Sequence, residues 1–161
     1  MDLWRSNNWK KHAETSSQKA RKSLRFRFEK NINQEVRRAC IEFGHWLRRE
    51  FCFPFRVTIY FKSDPFIKAY DGEDVSATFF EPFSKNREPY IRIATGDYHE
   101  MLKEWGQDNA LAAILGSIAH ELTHYFQWLN NVNLTDSGSE KQASYYRKKI
   151  LAEYSQTREH P

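Results

Sequence analysis

From Leu111 to Asn130 the chain carries a single charged residue, Glu121. A stretch this poor in charge cannot be a solvated surface, so it must be a buried element around which the rest of the chain is arranged. Leu111, Ile114, Leu115, Ile118, Leu122, Tyr125, Phe126 and Leu129 recur at helical spacing and fall along one line of a helix. Asp108 is its predicted N-cap. Within the helix stands His120-Glu121-Leu122-Thr123-His124. At about 100° per residue, His120 lies roughly 180° from the apolar line and His124 roughly 140° from it. The histidines therefore do not belong to the stripe that meets the main core. They face solvent or a second lobe across a cleft, and the small residues Ala112, Ala113, Gly116 and Ala119 leave room beside them.

Two histidines four residues apart lie one turn apart on the same helical face, so both imidazoles can reach one metal ion. Glu121 flanks that face, where it can take a proton from a metal-activated water and pass it on. A catalytic zinc usually has three protein ligands and an open position. Gln127 and Asn130 stand where one extended form of the motif places a glycine and a third histidine, so that arrangement is absent. The only later histidine is His160, next to the C-terminus. Among the carboxylates Asp136, Glu140, Glu153 and Glu159, Glu140 is the candidate third ligand. It shares a helical face with Ala143, Ser144, Ile150, Leu151 and Tyr154. A competing reading makes Ser137-Gly138-Ser139-Glu140 a capping box, with the glutamate turned back to the Ser137 amide.

In chain order, Leu24 to Phe28 alternates and can form a short strand. Asn33 is the predicted cap of a helix running to about Glu50, with Val36, Cys40, Phe43 and Leu47 at helical spacing. Strands are predicted over 55–61, 75–80 and 90–94, with a turn at Asp71-Gly72. A short helix from His99 to Trp105, stopped by Gly106, leads into the motif helix. A last helix is predicted from Gly138 to Tyr154. The order suits an α+β domain at 33–161, preceded by a basic arm at 1–32.

That arm holds nine Lys/Arg against three acids, within an overall net charge of +4, so the basic surplus belongs to the arm and not to the domain. A solvated tail is the preferred reading of the arm. Contact with nucleic acid or an acidic partner is the alternative. Two cysteines, Cys40 and Cys52, are too few for a disulfide framework, and the first residues show no signal peptide. No run is long enough to span a bilayer. The expectation is a cytoplasmic protein with no membrane contact.

His120-Glu121-Leu122-Thr123-His124, followed by Glu140-Lys141-Gln142-Ala143, resembles the gluzincin branch of the zincin metallopeptidases. It is most similar to the small bacterial members, including the group related to the regulatory ImmA/IrrE peptidases. The resemblance spans roughly residues 33–155, by element order. It implies a zincin-like fold: an N-terminal helix, a small twisted and mostly antiparallel sheet, the motif helix, and a C-terminal helix bearing the glutamate. It implies Zn2+ at His120, His124 and Glu140, with Glu121 as the general base. It also implies that an edge strand, by order Tyr90, Ile91, Arg92, Ile93 and Ala94, aligns a peptide or protein substrate by backbone pairing. Two features depart from the family. Ser144 stands where larger gluzincins carry an aspartate that supports a histidine ligand. For the group that steadies the oxyanion, Tyr145, Tyr146, Tyr154 and His160 are candidates, and no spacing selects one. The expected activity is zinc-dependent peptide-bond hydrolysis. The alternative is a regulatory or non-catalytic module that binds one protein, such as a repressor, or a nucleic acid.

Overall fold

A computed structural model describes residues 23–161. Residues 1–22, most of the basic arm, lie outside the described residues. The rest of that arm does not stand apart from the domain. Leu24–Phe28 forms strand β1, paired in parallel with β2 (Val57–Lys62) from Leu24 opposite Val57 to Phe28 opposite Phe61. Leu24 is fully buried, and the Phe28 ring stacks on Phe61 at 4.4 Å. The packed domain therefore begins before residue 33, and its first element is a strand.

Helix α1 (Gln34–Glu50) carries the chain from β1 back to β2. Asn33 starts it as its sequence predicts. The Asn33 side-chain oxygen accepts from the Glu35 amide at 2.8 Å and the Val36 amide at 3.3 Å, satisfying two donors that the first turn leaves free. Val36, Ala39, Cys40, Phe43 and Leu47 form its buried face. A small hairpin follows β2, made of β3 (Ile67–Lys68) and β4 (Asp74–Val75) around Gly72, whose φ of 88° suits a residue without a Cβ. Strand β5 is Ala77–Phe80 and β6 is Tyr90–Ala94.

The described residues form an α+β domain, with four helices and a small mixed sheet in the order β1-β2-β6-β5. Within this sheet β5 and β6 pair antiparallel, whereas β1 with β2 and β2 with β6 are parallel. This corrects the expectation of a mostly antiparallel sheet. It also corrects the placement of Tyr90–Ala94 at an edge: β6 is hydrogen-bonded on both sides, and β5 is the edge. The physical reason is burial. Ile91 and Ile93 of β6 are fully buried, while all four residues of β5 are only half-buried. The strand that carries the two fully buried isoleucines takes the inner position.

One face of the sheet, carrying Val57, Ile59, Phe61, Ile91 and Ile93, joins a single core with α1 and the later helices. Helix α2 (Tyr98–Trp105) ends at Gly106, whose φ of 81° turns the chain directly into α3 (Gln107–Leu129). The Gly106 carbonyl accepts from the Ala110 amide at 3.0 Å, so α3 starts there and Asp108 lies inside its first turn instead of capping it. Helix α4 (Asp136–Ser155) packs along α3. No helix among the described residues is long and apolar enough to cross a membrane.

Candidate metal centre

Helix α3 puts its apolar stripe into the core, with Ile118, Leu122 and Tyr125 fully buried. That fixes its rotation and turns His120 and His124 towards α4. Their side chains are 18% and 15% exposed, so they line a seam between two helices and do not stand in open solvent. The two rings lie 5.1 Å apart and nearly perpendicular.

Helix α4 supplies the third group. It starts two residues earlier than its sequence suggests, because Thr135 is the cap: its hydroxyl accepts from the Gly138 amide at 3.0 Å. Glu140 is thereby moved past the third helical position, and the capping-box reading falls. Its carboxylate instead divides between the two imidazoles. Oε2 lies 3.0 Å from His120 Nε2, and Oε1 lies 2.9 Å from His124 Nε2. Among the described residues these three form the group able to hold a metal ion, their ligand atoms all within 4.8 Å of one another. Asp136, Glu153 and Glu159 do not join it.

Gln127 makes Nδ1 of His124 a hydrogen-bond donor. The Gln127 side-chain nitrogen donates to the Ser139 carbonyl at 3.1 Å and to Gln142 Oε1 at 3.0 Å. Its Oε1 must then be the atom 2.8 Å from His124 Nδ1, where it accepts the imidazole proton. The Ser139 hydroxyl donates to the same oxygen at 2.7 Å. With Nδ1 protonated, neutral His124 presents a lone pair at Nε2 to a carboxylate oxygen 2.9 Å away. Two acceptors facing each other at that distance need a cation between them, either a proton or a metal. A divalent cation there would be held by His120, His124 and Glu140, a donor set that suits zinc.

Glu121 lies on the flank, 8% exposed. Burial, and then the charge of Glu140, pushes its carboxyl up to about 8. Burial also lowers His120, helped by the neighbouring His124 and Arg147 and opposed by Glu140.

Comparison with protein-family models, curated proteins and solved structures finds no match for this chain. The site is therefore read from its own residues.

The room beside the histidines is taken by Arg147. A Cβ on Gly116, one turn before His120, would lie 2.5 Å from Arg147 Nε. The guanidinium rests on that glycine, with Nη2 3.5 Å from the Ala113 carbonyl. Sequence reading passed over both Gln127 and Arg147. The sequence offers only their spacing, a glutamine one turn beyond His124 and an arginine two turns beyond Glu140, which by itself singles out neither.

The four oxyanion candidates separate. Tyr146 is buried, Tyr154 packs between Phe43 and Trp46 at 4.8 and 5.2 Å, and His160 binds Asp108 at the far end of α3. Tyr145 is 58% exposed and lines a groove of about 480 Å3 with Ser137, Glu140, Lys141, Ser144 and Lys148. Tyr90–Ala94 belongs to the interior of the sheet. The edge strand β5 lies against α3, with Phe79 edge-on to Tyr125, the neighbour of His124, at 6.5 Å.

Proposed function

We propose that the protein is a zinc-dependent peptidase with a zincin-like arrangement of helices, and that it hydrolyses peptide bonds in a peptide or protein substrate. The observation that carries this reading is the convergence of His120, His124 and Glu140 from two helices, with a buried glutamate beside them. Zinc held by those three residues would acidify water and polarise a carbonyl, chemistry that no protein side chain supplies as well at neutral pH.

The chain's own residues do the rest. Gln127 holds His124 in the tautomer whose Nε2 is a ligand. Glu140 supplies the negative charge that offsets a divalent cation. Glu121 accepts a proton from the attacking water at its carboxylate and gives it to the leaving amine. A bound cation works against the burial that raises Glu121 and favours the ionised form a base requires. The free edge of β5, not Tyr90–Ala94, is the backbone on which an extended substrate would pair. Tyr145 is the hydroxyl best exposed on the groove shared with Glu140. A binding module without activity would have no use for a buried carboxylate at position 121, where its charge is costly.

The test is hydrolysis of unfolded casein by zinc-loaded protein, with Glu121→Gln as control. Glutamine keeps the shape and loses the base, so the variant should be slower by about 10²–10⁴-fold. Equal rates in the two proteins would exclude Glu121 as the base.

A further inference from the structure

The helices cover one face of the sheet. The other face is built from nine outward side chains in register, with the buried Ala94 opposite Lys62 as a tenth position. One row across the strands reads Arg25, Thr58, Tyr90, Phe80, and the next reads Arg27, Tyr60, Arg92, Thr78. Lys62 stands beyond Tyr60 on the same strand. Four of these nine residues are cations, and the acid next in register, Glu29, pairs with Lys62. The face is therefore predominantly basic, which favours an anionic partner.

The remaining large side chains are aromatic and contiguous. Tyr90 lies between Phe80, stacked at 4.8 Å, and Tyr60, edge-on at 6.0 Å. Cations flank the rings: Lys62 Nζ is 5.9 Å from the Tyr60 ring, and the Arg87 guanidinium is 5.4 Å from the Phe80 ring. Acids at the border include those of three exposed pairs, Lys62 with Glu29 at 4.0 Å, Arg56 with Glu88 at 3.7 Å and Lys68 with Asp74 at 2.8 Å. Arg92 donates to the Lys68 carbonyl at 3.1 Å, and its Nε has no partner.

We propose that this outer face binds single-stranded nucleic acid. Unstacked bases have π-faces to lay on Tyr60, Tyr90 and Phe80, and the backbone phosphates meet Arg25, Arg27, Lys62 and Arg92. A duplex hides its bases from such rings, and an acidic protein offers charge without flat rings to stack. The basic stretch before β1 has the same sign as the face and complements the same partner. This site lies across the sheet from α3 and does not depend on the peptidase reading.

The experiment is fluorescence anisotropy of the full chain with labelled oligothymidylate and oligouridylate of about 12 nucleotides, over a range of salt. Binding should be lost steeply with salt. Arg25→Glu with Arg27→Glu, both exposed, should weaken it at least tenfold and flatten the salt dependence, since each lost phosphate contact removes about 0.7 from the slope for single strands. Tyr90→Leu should weaken it with the slope unchanged, and circular dichroism melts verify that both variants are folded. Deleting residues 1–22 should leave binding that still responds to the face variants. No binding of either oligomer, equal affinity for a duplex of the same length, or folded variants that bind like the wild type would overturn the proposal.

Discussion

Gln127 Oε1 lies 2.8 Å from His124 Nδ1, one turn along the same helix. A histidine that ligates a metal is ordinarily held by a partner on its other ring nitrogen. The glutamine fills the role from α3 itself, anchored in turn by Ser139 and Gln142 of α4. Partners of this kind are worth about 10–100-fold in metal affinity. Gln127→Ala should lower zinc affinity by that factor in competition with a chelator, and Gln127→Glu should restore much of it. Wild-type affinity in Gln127→Ala would show that the contact does not orient His124.

His160 donates to Asp108 at 2.8 Å and ties the end of the chain to the first turn of α3. That hydrogen bond, then the charge of Asp108, raises the His160 pKa, with a smaller contribution from Glu159 and slight burial opposing. A histidine raised on folding adds stability below its unfolded pKa of about 6.5 and loses that contribution as pH rises through the folded value. The pair is exposed, so the effect on stability is small. An NMR titration should place His160 above the ordinary histidine range, and Asp108→Asn should return it there. Identical titrations in the two proteins would show that the contact does not form in solution.

The helical parts of the site were legible because their signals are local. An asparagine followed by an apolar spacing of three and four places α1, and the same spacing turns His120 and His124 away from the stripe. Glu140 was legible by its helical face, but its freedom was not. That depended on Thr135 capping α4, a choice between neighbouring hydroxyls that only the folded backbone makes. The sheet was less legible, because strand order is a nonlocal choice. Nothing between residues 75 and 94 says that the later strand enters the interior while the earlier one takes the edge. Gln127 was missed because a buried amide announces itself only through the partners that α4 brings to it.

Leu24 is fully buried, and Phe26 and Phe28 pack on Phe61 at 5.1 and 4.4 Å. The first strand is thus part of the core, although its residues fall in the basic stretch. Deleting residues 1–22 should leave the thermal midpoint nearly unchanged, because that stretch has few apolar side chains to bury. Deleting residues 1–28 removes a buried leucine, worth about 2–5 kcal/mol when cut to alanine, together with two rings. The midpoint should then fall by more than about 8 °C. Equal melts for the two truncations would contradict the pairing of β1 with β2.

The central claim is a metal held by His120, His124 and Glu140, and zinc content after purification tests it most directly. The wild-type protein should carry a single zinc per chain by elemental analysis, and Glu121→Gln should carry the same, because Glu121 is a base and not a ligand. His124→Ala should lose most of the metal, and Glu140→Gln should hold it far more weakly against a chelator. Full zinc content in His124→Ala, or wild-type zinc affinity in Glu140→Gln, would contradict the account.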